Sequence, residues 1–270
     1  MNFFTSILMG ILQGLTEFLP VSSSGHLVLA GHLFGIKEDG NILFEVFLHL
    51  GTLMAVLIYF RKTLWDLVVS LTSWRGTLRS QVHRHNRLIL LYLIIATIGT
   101  SIIYLLFGDF FKSLYDKPMV VAFMLLVTGS VVFISDYVKT GSIPSNSMGI
   151  IRALIIGLAQ GLAIIPGLSR SGATIGTSLY CGLKRKDAAY FSFLLSIPAI
   201  LAANISEFGA LRQLETKQFS IYLGGFLASF AVGYLVMSIL IQLIQQNKLK
   251  YFAYYCWFIG LSAITLLSMN

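Results

Sequence analysis

The chain has 270 residues, of which 56% are apolar and only 11% charged, so it cannot clothe a soluble globule in the usual charged surface and reads as an integral membrane protein. Its formal net charge of +8 does not point to nucleic acid, because the basic residues sit in short segments between apolar stretches, the pattern that sets membrane topology. Cys181 and Cys256 both lie in apolar surroundings, which argues against a disulfide scaffold or a cysteine metal site.

Residues 3–19 and 27–36 form a first apolar pair. A helix over 27–36 would reach only about 15 Å, half a hydrocarbon core, so the pair is expected to be a re-entrant hairpin. The N-terminus lacks a basic flank and its first stretch carries Gln13 and Glu17, which predicts a retained segment rather than a cleaved signal peptide. Gln13 and Glu17 are four apart and share a helix face. Leu19-Pro20 then stops the helix, and Ser22-Ser23-Ser24-Gly25-His26 starts the next.

A crossing helix is expected over 44–60, where Glu45 and His49 are spaced to line the outer part of a cavity; Glu45 also fits an ordinary interfacial carboxylate. Segment 61–87, with Arg61, Lys62, Arg75, Arg79, Arg84 and Arg87, reads as a cytoplasmic connection. Crossings follow over 88–107 and 119–137, with Asp136 near Lys139 at a cytoplasmic end. A second interrupted pair, 150–165 and 174–183, contains Pro166-Gly-Leu-Ser-Arg-Ser-Gly-Ala-Thr174. Crossings over 188–205, 219–244 and 251–269 make six in all. Tyr59, Trp65, Tyr251 and Trp257, near segment ends, read as interface anchors.

The two interrupted segments are copies. At a constant offset of 147, Gly10, Gln13, Gly14, Leu15, Ser22, Ser24 and Gly25 meet Gly157, Gln160, Gly161, Leu162, Ser169, Ser171 and Gly172. The match continues through Gly35 with Gly182, Lys37 with Lys184, Phe44 with Phe191, Leu48 with Leu195 and Ala55 with Ala202. The chain therefore reads as one membrane domain, 1–270, with repeats of about 1–140 and 148–270. Three crossings separate the hairpins, an odd number, so the repeats are expected to be inverted in the membrane. Thirteen basic residues fall on the 61–87 side, including Lys139, Arg152 and Lys248, against five on the other, including Lys37, Lys112 and Arg212. Both termini and the mouth of the first hairpin should thus face outward. The expected fold is all-α: a polytopic membrane protein with six transmembrane helices plus two re-entrant helical hairpins in inverted-topology repeats.

The polar tips should meet at a pocket, because irregular backbone at membrane depth must be buried in protein or line a wet cavity. Two helix starts with hydroxyl caps, Ser22 to Ser24 and Ser169 to Ser171, favour an anion there, although the serines also fit plain capping and packing. Arg170, costly within a membrane, offers a bidentate fork to phosphate or carboxylate; an internal ion pair with Glu17 is the other reading, and the two can coexist. Glu17, His26 and a neighbouring hydroxyl supply a base or metal ligand, a proton carrier and a nucleophile, the minimum for covalent phosphoryl transfer. Ser23 stands opposite Arg170 at the repeat offset, a hydroxyl facing a guanidinium.

The run from Gln13-x-x-x-Glu17 into Phe-Leu-Pro-Val-Ser-Ser-Ser-Gly-His26, together with the 166–174 motif, closely resembles the paired signature of the BacA-type undecaprenyl-diphosphate phosphatases, in length, repeat layout and motif position. The resemblance implies an enzyme of the bacterial cytoplasmic membrane that hydrolyses undecaprenyl diphosphate, recycles the lipid carrier for peptidoglycan synthesis, confers bacitracin resistance and requires a divalent cation, Mg²⁺ or Ca²⁺. Carried over by motif, it implies catalytic roles for Glu17, Ser23, His26 and Arg170, with Glu17 on the metal, and substrate binding by Gln13, Ser169 and Thr174; the hydroxyls Ser22, Ser24 and Ser171 of the two helix starts are expected to bind substrate with them. Gln13 occupies an outer position that is Glu or Gln in the family; unlike the members with glutamate there, it cannot be a base or an anionic ligand, which moves that burden to Glu17. Ser23 or water is the nucleophile. The expected partners are a polyprenyl diphosphate lipid and the bilayer, with no nucleic acid and with a homodimer compatible. The rival reading is a secondary transporter or lipid flippase with an anion site at the repeat interface.

Overall fold

The computed structural model describes residues 2–33, 42–72, 79–138, 141–206 and 216–269. Gly35, Lys37, Arg75, Lys139 and Arg212, invoked above, lie outside the described residues. The first broken pair is α1 (Phe3–Thr16) and α2 (Ser23–Leu33). Then come α3 (Ile42–Tyr59), α4 (Arg61–Thr72), α5 (Arg79–Lys112) and α6 (Pro118–Asp136). The second broken pair is α7 (Ile150–Leu162) and α8 (Arg170–Tyr180), followed by α9 (Arg185–Ser206), α10 (Thr216–Gln245) and α11 (Lys250–Met269). The described residues form an all-α fold in which five helices are long and apolar enough to cross a membrane, and α3 with α4 makes a sixth when taken as one bent span. The protein is a multi-pass membrane protein.

One difference from the sequence reading concerns 61–87, expected to be a connection. The chain instead turns by 72° after Tyr59 and continues as α4, with the backbone bonds from Phe60 N–H to Val56 O and from Leu64 N–H to Phe60 O carrying the ladder across the bend. Leu67 and Ser70 of α4 are buried. Charge density marked this stretch as polar, but its inward side has enough apolar contact to hold a helix.

The halves exchange helices. α1 packs along α10, and α7 packs along α5. In both cases two glycines four apart let backbones meet, as small residues do between membrane helices. A Cβ at Gly10 would lie 2.4 Å from Gly225 O and one at Gly14 2.8 Å from Ser229 O. At the repeat-related positions, a Cβ at Gly157 would lie 2.1 Å from Ala96 O and one at Gly161 2.5 Å from Ile103 Cβ. Thr100 Oγ1 donates to Gly157 O at 2.9 Å on the second of these seams. α6 and α11 pack on each other, with Ala253 O 3.0 Å from where a Cβ at Gly129 would lie. The small residues that made the repeat visible are the ones that seat each broken helix on the opposite half.

Gly157→Ala should therefore separate α7 from α5 and lower the midpoint of thermal unfolding in detergent, as overpacking costs about 1–3 kcal/mol. Gly176→Ala, where a Cβ would meet Ser135 and Val131 at an ordinary 3.5 Å, should leave the midpoint unchanged or raise it. Equal midpoints for the two variants would refute the close-seam account.

Candidate functional site

Each broken pair is closed in the same way. α1 ends with Glu17 at its C-cap, whose N–H bonds Gln13 O, and the break runs to Ser22, which sits at φ +70°. That left-handed conformation is strained for a serine and fixes the angle at which α2 leaves. Ser22 Oγ accepts from Gly25 N–H at 3.2 Å, and Ser169, the N-cap of α8, accepts from Gly172 N–H at 3.1 Å. Ser22 Oγ lies 3.3 Å from Ser24 Oγ, and Ser169 Oγ lies 3.1 Å from Ser171 Oγ. The second break uses Gly167 at φ +90°.

The breaks meet. A Cβ at Gly25 would lie 3.0 Å from Gly167 Cα, and Ser171 Oγ donates to Leu19 O at 2.9 Å. Glu17 lies at the junction and is buried. Its Oε1 pairs with Arg170 Nη2. Its Oε2 accepts from Gln13 Nε2 and from Ser23 Oγ, each at 2.7 Å. A carboxylate held by a guanidinium, an amide and a hydroxyl is anionic, oriented and in contact with a candidate nucleophile. Ser23 is half-buried, whereas Glu17 is buried.

The sequence-derived residues divide into two groups. Gln13, Glu17, Ser23 and Arg170 form the cluster just described. His26 is buried and turned toward α11: Nδ1 lies 2.7 Å from Ser22 O, Nε2 lies 2.9 Å from Tyr255 Oη, and the two rings stack at 5.5 Å. With Nδ1–H donating to the carbonyl, Nε2 accepts the phenol proton, and both nitrogens are used. Thr174 is fully buried, donating to Arg170 O at 2.8 Å, with Ser192 Oγ at 2.6 Å. Ser22, Ser169 and Ser171 hold the breaks by the bonds given above, while Ser24 is half-buried at the first.

The imidazole nearest the carboxylate belongs to His49, whose Nε2 is 3.8 Å from Glu17 Oε2 while Nδ1 lies 2.9 Å from Glu45 O. Its spacing to Glu45 marked it in the sequence, but not its approach to Glu17. Thr128 carried no sequence signal at all. Buried in α6, it donates to Gly167 O at 2.8 Å and accepts Ser169 N–H at 2.9 Å, satisfying two backbone groups of the second break.

A hard cation needs oxygen donors, and Gln13 Oε1, on the amide whose Nε2 donates to Glu17 Oε2, is buried without a hydrogen-bond partner, as is Gln160 Oε1 at the repeat-related position. Gln13 Oε1 and the Glu17 carboxylate fit a cation that completes its shell with substrate oxygens and water. Among the described residues, no group of three or more His, Cys, Asp or Glu side chains forms a closed protein cage.

Thr128→Val should cost about 1–3 kcal/mol by stranding Gly167 O and Ser169 N–H, lowering the thermal midpoint in detergent, whereas Thr128→Ser should restore most of it. A valine variant as stable as the parent would show that the second break is held by other means.

Residues 6–262 match the family described as bacitracin resistance protein BacA. An undecaprenyl-diphosphatase of Alkaliphilus metalliredigens is 41% identical over the full length of both chains. One of Halothermothrix orenii is 42% identical over 98% of each, and one of Methanobrevibacter smithii is 38% identical over 97% of this chain and 96% of its own. With the match running from the first broken helix into α11, and with both breaks inside it, the chain belongs to the BacA family.

Proposed function

We propose that this protein hydrolyses undecaprenyl diphosphate to undecaprenyl phosphate and inorganic phosphate in the bacterial cytoplasmic membrane, recycling the carrier lipid of peptidoglycan synthesis. The observation that carries the reading is the 2.7 Å hydrogen bond from Ser23 Oγ to a buried carboxylate that also pairs with Arg170. The relatives named above support the substrate. A lipid diphosphate needs apolar helices for its tail and a built anion site for its head, and a fold with five to six spans around two polar breaks supplies both.

Glu17 takes the Ser23 proton as Oγ attacks the terminal phosphorus. The new Oγ–P bond forms as the bridging O–P bond breaks, and undecaprenyl phosphate leaves with the bridging oxygen. Water then attacks the phosphoserine: its oxygen bonds phosphorus as the Oγ–P bond breaks, Glu17 returns to Ser23 Oγ the proton it took, and the proton of the water leaves with inorganic phosphate. Arg170 presents five N–H donors in a planar fork, so it can keep Glu17 oriented and still bind the equatorial oxygens, where charge develops. The first turns of α2 and α8 add the partial positive charge of two helix N-termini. Glu17 and Gln13 Oε1 would hold a divalent cation, Mg²⁺ or Ca²⁺, which when bound neutralises diphosphate charge. His26 braces the start of α2 against α11 and keeps Ser23 in reach of Glu17.

The positive-inside distribution supports an outward-facing site with the broken pairs inserted from opposite sides. Ser113→Cys and Gln246→Cys, both at exposed positions, separate the orientations in a Cys181→Ser background. An impermeant thiol reagent should label the first and not the second in intact spheroplasts. Labelling of position 246 alone would place the site on the cytoplasmic face.

For the chemistry, purified protein should release phosphate from a C15 or C55 prenyl diphosphate with a divalent metal present; no release with any such metal would return the transport reading to the front. Glu17→Gln and Arg170→Lys should each lose about 10²–10³-fold in kcat, while Gln13→Ala keeps measurable turnover. Ser23→Ala should abolish an acid-stable phosphoserine, and turnover without that adduct in the parent would assign the attack to water.

A further inference from the structure

α4 has no place in the site, yet it is built with two distinct sides. Leu67 and Ser70 face inward, and the helix crosses α5 where Asn86 Nδ2 donates to Asp66 O at 3.2 Å and Arg87 Nε donates to Ser70 O at 2.7 Å. That is the level at which α5 changes from Arg84-His85-Asn86-Arg87 to the apolar run opening at Leu88, so α4 lies where the bilayer core gives way to headgroups. The 72° bend from α3 turns α4 away from the crossing direction. Its other side exposes Trp65 at 68%, Val68 at 55% and Leu71 at 61%, three large apolar groups at intervals of three that water would penalise. Arg61 and Lys62 are exposed in the first turn of α4 and Arg84 is exposed on the charged stretch of α5, against one exposed carboxylate on α4, Asp66.

From this geometry we infer that α4 is an interfacial helix: its Trp65, Val68 and Leu71 face lies in the headgroup region of the leaflet on the charged side of α5, and Arg61, Lys62 and Arg84 hold anionic phospholipid headgroups. Tryptophan at this depth buries its ring while keeping its N–H in polar surroundings. An amphipathic helix with a basic rim binds by apolar burial plus attraction to anionic lipid. The charge imbalance and the depth set by α5 favour a lipid surface over a second protein chain.

The test uses the full chain in nanodiscs of phosphatidylcholine with and without phosphatidylglycerol. A spin label at Val68→Cys, in a Cys181→Ser background where the remaining Cys256 is fully buried, should be reached by oxygen more than by a water-soluble nickel chelate. A label at Asp66→Cys should show the reverse. Arg61→Gln and Lys62→Gln should each weaken the first lipid shell's preference for phosphatidylglycerol about fivefold, and the double reversal Arg61→Glu with Lys62→Glu should lower it further than either. Equal nickel access at positions 66 and 68, an unchanged lipid preference in the double reversal, or spin–spin broadening at position 68 from a second copy would each overturn the inference.

Discussion

The contact between Glu17 and Arg170 is the constraint on which the rest of the structure depends. It joins the C-terminal cap of α1 to the first residue of α8, so the two breaks must arrive at the same point. Burying an ion pair is costly, and the arrangement is tolerable only when the remaining hydrogen-bonding capacity of the charges is met. Gln13 and Ser23 meet it for the carboxylate. Reaching that point requires α1 and α7 to sit close against α10 and α5, which the paired glycines permit. The charges that hold the breaks together are the ones the proposed reaction uses, so in that proposal stability and reactivity draw on one set of atoms.

The two halves share a scaffold and differ in chemistry. Ser22 and Ser169 cap α2 and α8 alike, and each lies near a serine two residues on. Gln13 and Gln160 are equivalent by position, yet Gln13 donates to Glu17 while Gln160 donates to Thr100 Oγ1 at 3.0 Å. Where the first half has Glu17, Ser23 and His26, the second has Ile164, Arg170 and Ala173. Glu45 and His49 of α3 correspond to Ser192 and Ser196 of α9, and Ser192 closes on Thr174 instead of on a charge. The hydrogen bonds that close a broken helix occur at both breaks, whereas the buried carboxylate, the hydroxyl bonded to it and the guanidinium paired with it occur once among the described residues.

Strain and satisfaction are matched along both breaks. Ser22 holds a left-handed backbone conformation that costs energy for any residue with a Cβ, and its carbonyl is met by His26 Nδ1 while its hydroxyl takes a helix amide. Thr128 performs a similar service for the second break from α6, and Cys256 Sγ lies 3.7 Å from Pro20 O. Irregular backbone in an apolar surrounding survives because neighbouring helices complete its hydrogen bonds. α6 and α11, which pack against each other, supply these partners, so helices outside the broken pairs help to decide whether the polar centre keeps its shape.

What the sequence by itself determined were features written in neighbouring residues: the membrane class, the apolar lengths, the two breaks, their repeat, and the candidacy of Gln13, Glu17, Ser23 and Arg170. Such features follow from composition and local spacing, which act before any tertiary contact forms. The tertiary structure decided which of those groups touch. His26 lies in the same motif as Ser23, yet its ring is claimed by Tyr255, 229 residues away, and the imidazole facing Glu17 comes from α3. Thr128 shows no pattern in its own helix because its role depends on Gly167 and Ser169 arriving beside it. α4 was hidden for a related reason, since its inward face acquires meaning only against α5. Side-chain direction between distant segments is set by packing and by competition among hydrogen-bond partners, and neither is encoded in the spacing of adjacent residues.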